Sequence, residues 1–304
     1  MNIAVLFHQP VASIDEWSTP LGLAQALEAC GVQVYRYSFA DPQTLCLPPL
    51  EEMVARSIDA LLVFSAGPAP ELDRQLLALR YQIEQRQLGL KVICELGDEP
   101  QTRWCNALRV QASHLSLSPD AASAQHWRSL GAHCLWFTHW ADTTVFREDH
   151  QVDRCQFVVT TMGRRRYARR LKMLLGRRFV NRQCIGTANG QLYSSGQVAF
   201  QYARWGEITR RVFEAAACGC CVLTNRLSPH TRLEELLPAD QAVLYYDGFW
   251  SLCSALWRLQ SDPVLRETIA REGQRRVLRF HTQHMRARAL IQACKLLLKN
   301  QDLN

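Results

Sequence analysis

The chain has 304 residues, a formal net charge of +7 and 48% hydrophobic residues. Two domains of about 150 residues, each with a core of its own, fit this length. No stretch approaches the roughly 18 apolar residues of a membrane-spanning helix. The short apolar start gives way at once to His8-Gln9-Pro10, which is not the pattern of a signal peptide. We therefore expect a cytoplasmic protein without a transmembrane segment.

Charge is divided unevenly between the two halves of the chain. Residues 1–150 hold 10 Lys and Arg against 17 Asp and Glu, whereas residues 151–304 hold 25 against 11. The halves thus carry net charges of −7 and +14. A basic half predicts the docking surface of a polyanionic ligand, although arginines that only solvate helix faces give the same count.

In the first half, short apolar strands alternate with helical patterns. A helix opens at Ser18 or Thr19 and closes at Gly31, another covers Leu72 to Gln87, and a third starts at Ser118-Pro119. The predicted strands between them are Asn2–Phe7, Val32–Tyr37, Ala60–Phe64, Lys91–Glu95, Leu115–Leu117 and His133–Phe137. This alternation predicts an α/β fold with a parallel sheet covered on both faces.

The same alternation restarts in the second half. The predicted strands are Phe157–Thr160, Phe179–Ile185, Gln197–Gln201, Cys220–Thr224 and Ala242–Asp247, and a turn over Gly186–Gly190 follows the second of them. The predicted helices are a basic one over Arg164–Leu175, one from Arg210, and a last one from Thr282 to Lys299. Ligands of such sheets bind beyond the carboxyl ends of the strands. The loops that follow the strands are therefore the candidate site.

Twelve cysteines raise the question of disulfides or a metal. Most of them lie within apolar strand or helix patterns, and Cys218, Cys220 and Cys221 are too crowded for an ordinary zinc knuckle without ligands elsewhere. We expect reduced, buried thiols and no metal site.

The segment from Arg210 to Thr224 runs from an amphipathic helix through Gly219 into a buried strand. Glu214 would lie near the start of that helix, where a carboxylate accepts hydrogen bonds from sugar hydroxyls. Arg210 and Arg211 would supply cationic donors for phosphate. The alternative for Glu214 is a carboxylate that only stabilises the helix through its macrodipole.

A second anion site is predicted where the strand Phe157–Thr160 ends. Gly163 would form a turn at a helix start, where free backbone amides favour anions, and three arginines follow it. We prefer Arg164 as the inward-pointing residue, with Arg169 as a lesser candidate, against the alternative of a solvated basic helix. Gly186, in the turn after the next strand, is the remaining candidate for donor binding.

In the first half, Asp98 follows the buried strand Lys91–Glu95. Its carboxylate could orient an acceptor hydroxyl or act as a base, or it could cap a helix that starts at Pro100. His8 follows the first strand and is a weaker catalytic candidate, since a lone histidine is more often structural.

These motifs resemble those of the spore-maturation CgeB-like glycosyltransferases, a branch of the GT-B group 1 enzymes. Arg-x-Phe-Glu-Ala-x-Ala-x-Gly is matched from Arg211 to Gly219, and Asp98 matches an Asp-x-Pro element. Trp140 to Phe146 looks like the Gly-Val-Asp-x-x-x-Phe connector between the two domains, with Trp140 and Ala141 replacing Gly and Val. The resemblance covers residues 130–290 well and residues 1–90 only in pattern.

The resemblance implies a GT-B fold, in which two doubly wound Rossmann-like domains face a central cleft. Residues 1–150 would form the acceptor-side domain and residues 151–280 the nucleotide-sugar domain, while residues 281–304 would form a helix that crosses back to the first. Glu214 would bind the ribose hydroxyls. The first Glu of the group 1 Glu-x7-Glu pattern would fall on Gly206, which leaves Glu207 as the sugar-facing carboxylate, or none.

The implied activity is transfer of a sugar from a nucleoside diphosphate sugar, UDP-sugar before others, to an acceptor hydroxyl, with retention of configuration. No Asp-x-Asp triplet occurs in the chain, so we expect no metal requirement and no cofactor. The acceptor stays open between a glycan, a lipid-linked sugar, a protein and nucleic acid. Two alternatives remain: a phage-type enzyme acting on hydroxymethylated DNA bases, and a non-catalytic nucleotide-sugar-binding module.

Overall fold

The structure, a computed structural model, describes residues 1–8, 18–39, 46–65, 67–161 and 166–299. Contacts within the chain divide it into two compact units. The first consists of Met1–Thr138 and of the chain from His284 onward, and the second of His139–Gln283. Residues 139–150, which the sequence analysis assigned to the first domain, thus group with the second unit.

The first unit contains a six-stranded sheet whose strands all run parallel, in the order β2-β1-β3-β4-β5-β6. Its central strands are buried along nearly their whole length, as the apolar runs in the sequence predict. The strands are β1 (Asn2–His8), β2 (Gln33–Phe39), β3 (Ala60–Phe64), β4 (Lys91–Glu95), β5 (Leu115–Ser118) and β6 (Cys134–Trp136). The helices are α1 (Thr19–Ala29), α2 (Leu50–Ala55), α3 (Pro70–Gln85), α4 (Arg103–Ala112) and α5 (Ala121–Ser129).

The second unit repeats this plan with a five-stranded parallel sheet in the order β11-β10-β9-β7-β8. The strands are β7 (Gln156–Thr160), β8 (Phe179–Asn181), β9 (Gly196–Phe200), β10 (Cys221–Asn225) and β11 (Leu244–Tyr246). The helices are α6 (Arg166–Leu175), α7 (Gly186–Ser194), α8 (Arg210–Ala217), α9 (Leu233–Leu236), α10 (Phe249–Ser261), α11 (Pro263–Phe280) and α12 (Gln283–Lys299). Beyond Gln283, α12 belongs to the first unit.

One predicted turn is a helix. Residues Gly186–Gly190, predicted to form a turn, are the first half of α7, and β8 ends at Asn181 rather than at Ile185. Asn189, Leu192 and Tyr193 are all buried at helical spacing, which explains the outcome. Gly190 allows this helix to approach the backbone, because a Cβ atom there would lie 2.5 Å from the carbonyl oxygen of Val145.

The helix after β4 also starts later than predicted. It begins at Arg103, with Thr102 as its N-cap residue, and not at Pro100. Residues 98–102 form turns, in which the Thr102 hydroxyl donates to the Gly97 carbonyl at 2.5 Å. This difference bears on the proposed roles of Asp98.

The predicted connector from Trp140 to Phe146 lies in the second unit and is held by the entry to the last helix. The Ala141 amide donates to the His281 carbonyl at 2.9 Å, and the Gln283 amide donates to the Ala141 carbonyl at 3.1 Å. The Thr143 amide donates to Oε1 of Gln283 at 3.0 Å. Residues about 140 positions apart are thus paired along a short parallel bridge.

Two further properties concern the whole described chain. All twelve cysteines are free thiols, and burial raises the pKa of several of them, among them Cys94 and Cys220, to about 12. Among the helices that the structure describes, none combines the length and the apolar character that crossing a bilayer demands.

Candidate active site

Polar side chains lie at one edge of the second unit's sheet, where its strands have their carboxyl ends. Because β7, β9 and β11 run parallel, the residues that follow them lie at the same edge. Tyr193 of α7 is fully buried there, and its hydroxyl lies 3.3 Å from the Thr161 hydroxyl and accepts from Nε2 of Gln201 at 3.0 Å. The Tyr246 hydroxyl donates to the Gln201 carbonyl at 3.0 Å. These bonds fix the floor of the site.

Glu214 is the exceptional group at this edge. It is the fifth residue of α8 and its side chain is buried, with 6% relative exposure. Its one short-range partner in the described chain is the amide of Asn189, whose Nδ2 lies 3.4 Å from Oε2. Burial raises the pKa of the Glu214 carboxyl to about 7, and the charges of Arg210 and Arg211 only partly offset the effect. The macrodipole acts most strongly on carboxylates within the first turn of a helix, and Glu214 lies just beyond that turn.

Three buried oxygen atoms, at the end of β7, on α7 and at the start of α8, have no hydrogen-bond partner in the described chain. These atoms are Thr160 Oγ1, Asn189 Oδ1 and Thr209 Oγ1. Thr209 is the N-cap residue of α8, yet its hydroxyl does not cap the helix. Buried polar groups are ordinarily paired, and leaving one unpaired costs about 1 to 3 kcal/mol. An unpaired oxygen on Asn189, the hydrogen-bond partner of the Glu214 carboxylate, is typical of a site that a polar ligand completes.

The other predicted donor-site residues that the structure describes differ in their exposure. Arg210 is half-buried and Arg211 exposed, both at the start of α8. Gly186 is the buried first residue of α7, with a φ of +56°. Arg169 points outward from α6 and is exposed. Gly163 and Arg164 lie outside the described residues and stay predictions.

Glu207 lies on the loop between β9 and α8. Its Oε2 accepts the Trp205 amide at 2.8 Å across a turn in which Gly206 has a φ of +75°. The carboxylate is half-buried, and its second oxygen keeps its capacity to accept. Its proposed role toward the sugar stays a prediction.

In the first unit, Asp98 and His8 occupy the carboxyl ends of β4 and β1. Asp98 is exposed, and its backbone has a left-handed conformation with a φ of 53°. Because α4 starts at Arg103, no helix begins at Pro100 for Asp98 to cap. His8 is exposed, and its ring centroid lies 5.5 Å from that of Phe39. The catalytic roles of both residues stay predictions.

The neighbour of Asp98 has a structural role that the sequence did not reveal. Glu99 is buried, and its Oε1 accepts from the Asn106 amide at 3.1 Å and from the Trp127 indole at 2.9 Å. Its Oε2 accepts from the Ser118 hydroxyl. Glu99 thereby ties the loop after β4 to α4, α5 and the end of β5. Of two adjacent acidic residues, the sequence did not indicate which one faces inward.

The pKa of Glu214 predicts a pH-dependent stability. Its folded-state value of about 7 lies above its usual value of 4.5, so the stabilising contribution is complete below pH 4.5 and is lost as the pH rises through 7. The loss should amount to about 3 kcal/mol. Glu214→Gln removes the titration, so the difference in free energy of unfolding between wild type and variant should grow over this window in urea titrations. A difference that is independent of pH would contradict the shift.

The chain has two Rossmann-like α/β units built on parallel sheets, which match the GT-B fold of glycosyltransferases. Residues 149–292 match the family model described as glycosyl transferase-like, and all the described candidate residues of the second unit lie within this match. No curated protein sequence matched the chain significantly.

Solved structures similar to this chain cover nearly all of it. Sucrose-phosphate synthase from Thermosynechococcus elongatus has a TM-score of 0.70 at 14% identity, with 98% of this chain and 99% of that chain covered. HepE from Anabaena, in complex with UDP and glucose, has a TM-score of 0.65 at 14% identity, covering 97% and 99%. An alpha-glucosyltransferase in complex with UDP-glucose and DNA containing an abasic site has a TM-score of 0.60 at 10% identity, covering 97% and 99%. At these identities the likeness establishes the fold.

Proposed function

We propose that the chain is a glycosyltransferase that takes a sugar from a nucleoside diphosphate and binds the nucleotide at the carboxyl edge of its second sheet. The observation that carries the proposal is the environment of Glu214, a buried carboxylate with one hydrogen bond of 3.4 Å, from an asparagine whose own oxygen is unpaired. The family match over residues 149–292 supports it independently.

Ribose hydroxyls can supply the hydrogen-bond partners that the polar groups around Glu214 lack. Each hydroxyl donates one hydrogen bond and accepts others. Two of them would donate to the Glu214 carboxylate, and the unpaired Asn189 oxygen would gain a partner. Hydrogen bonds to the ionised carboxylate would pull its pKa down from about 7, so nucleotide binding would release a proton near neutral pH.

The diphosphate would lie toward the cationic side of the same edge. Arg210, the half-buried cation at the start of α8, and the predicted Arg164 would stabilise the negative charge that develops on the leaving diphosphate. Fixed guanidinium groups provide this stabilisation without reorganisation at the moment of transfer. We propose that the reaction retains configuration and needs no metal.

UDP is the nucleotide to test first, because several of the similar structures contain UDP or UDP-glucose. Titration calorimetry with UDP, GDP and TDP and their common sugars should give tight binding of one nucleotide, with and without a chelator. Incubation with the matching sugar donor should then release the free nucleoside diphosphate, slowly without an acceptor. NMR of the released sugar would report retention. Absence of binding by any nucleotide would overturn the proposal.

A non-catalytic nucleotide-sugar-binding module is the second candidate. Gly206 at the position of the first group 1 Glu favours it, since one carboxylate expected near the sugar is absent. Binding without any donor hydrolysis or transfer would support this candidate over the enzyme. The acceptor class, whether glycan, lipid-linked sugar, protein or nucleic acid, is left to transfer assays.

A further inference from the structure

A patch of apolar side chains is exposed on the second unit. Met173 and Leu174 of α6 and Trp250 of α10 line a shallow pocket of about 460 Å³, together with Arg170 and Phe249. Met173 is 86% exposed and Trp250 is 83% exposed. Soluble proteins rarely cluster such side chains in contact with water, and clusters of this kind mark interaction surfaces.

The tryptophans of α10 lie on its outer face by their spacing. Leu252, Leu256 and Leu259 point into the core of the unit, which α6 shares through Leu171. Trp250 and Trp257 are seven residues apart and therefore lie on one stripe two turns apart, and Trp257 is 72% exposed. The packing of the unit's own core therefore does not cover this stripe of tryptophans.

The same surface carries positive charge without compensation. Between Asp153 and Glu207 the sequence has no acidic residue but eleven Lys and Arg. In the described part of α6 and the turn after it, the cations form no ion pair with another described residue. They are Arg166, Arg169, Arg170, Lys172, Arg177 and Arg178. The Arg170 guanidinium instead lies 4.8 Å from the centroid of the Phe249 ring.

We propose that this basic aromatic surface, formed by the outer faces of α6 and α10, docks on a membrane surface rich in anionic lipid. Cations attract the headgroups, tryptophans favour the interface, and Met173 and Leu174 would reach the acyl boundary. A nucleic acid would satisfy the cations and stack on the tryptophans, but it would leave the methionine and leucine in water. The lipid surface satisfies all three features, and the proposal does not depend on the transferase activity.

Vesicle sedimentation tests the proposal on the whole chain. Wild type should sediment with vesicles of phosphatidylcholine and phosphatidylglycerol in equal parts, and not with phosphatidylcholine alone. Trp250→Ser with Trp257→Ser should weaken this binding by about tenfold or more. Lys172→Glu with Arg177→Glu should weaken it comparably and reduce its salt dependence. Brominated acyl chains should quench the fluorescence of wild type more than that of the double tryptophan variant.

Matched controls distinguish the surface from general effects. Trp104→Ser removes a tryptophan that is 74% exposed on α4 of the other unit, and it should leave vesicle binding unchanged. All variants should keep the thermal unfolding midpoint of wild type, because the altered side chains face solvent. The proposal is overturned if wild type ignores anionic vesicles at physiological salt, or if the tryptophan variant binds them equally well. Tighter binding to duplex DNA that the tryptophan variant weakens would also overturn it.

Discussion

Glu214→Gln should weaken the binding of UDP-glucose, or of whichever donor the chain prefers, by about 1 to 3 kcal/mol. The amide keeps the shape of the carboxyl group but replaces one acceptor oxygen with a donor, so one ribose hydroxyl would meet an N–H group. Removing a buried ionisable group should not destabilise the fold at neutral pH. Calorimetry at pH 8, where the wild-type carboxyl is ionised, measures the difference.

Two further measurements make this prediction specific to the carboxylate. Wild-type affinity for UDP-glucose, whose diphosphate does not titrate near neutral pH, should rise from pH 6 to pH 8, while the affinity of the variant should stay flat. Glu235→Gln alters an exposed glutamate of the same unit, paired with Arg232, and should change neither affinity nor its pH dependence. Equal binding by wild type and Glu214→Gln would remove the chief support for the nucleotide site.

Arg109→Met should destabilise the first unit by about 3 to 5 kcal/mol. Arg109 is fully buried, and its Nε donates to Oδ1 of Asp73 at 2.9 Å. Its Nη1 donates to the Ser65 carbonyl at 2.8 Å, and its Nη2 donates to the Gly67 carbonyl at 3.2 Å. The substitution would leave the Asp73 carboxylate buried without its cation and would free the loop after β3. Urea unfolding followed by circular dichroism measures the loss.

A neighbouring arginine provides the matched control. Arg74 is the next residue after Asp73 on α3, and its ion pair with Glu71 is exposed. Arg74→Met should therefore change the free energy of unfolding by less than about 0.5 kcal/mol. The variant Arg109→Met with Asp73→Leu should recover part of the loss, since no unpaired charge would remain buried. If Arg109→Met lowers the free energy of unfolding no more than Arg74→Met does, the buried ion pair does not stabilise the unit.

Much of the fold could be predicted from the residue pattern. The apolar run Ala60–Phe64 and its counterparts predicted parallel strands, and the structure confirms two parallel α/β sheets. The turn over Gly186–Gly190 was wrong because two glycines and an asparagine have turn propensity, whereas burial of Asn189 and Tyr193 against their neighbours favours the helix. Local propensity was outweighed by packing.

The contacts within the candidate site could not be predicted from the sequence. Glu214 and Arg210 were identified from the motif, but Asn189, the only described side chain with a hydrogen bond to Glu214, was not. An asparagine in a presumed turn carries no sign of its partner 25 residues away. Arg109 and Glu99 were missed for the same reason, since a buried ion pair and a buried carboxylate look like any other charges in a sequence.

The sequence by itself determined the class of fold, the order of the strands along the chain, and the edge of the sheet at which a ligand is expected. These follow from hydrophobic periodicity and from the topology of parallel strands, both of which are properties of short segments. Only the tertiary structure decided that Glu214 is buried while Arg211 is exposed, and that Trp250 and Trp257 face water. The burial of a side chain, and with it its pKa and its partners, depends on which distant elements pack over it.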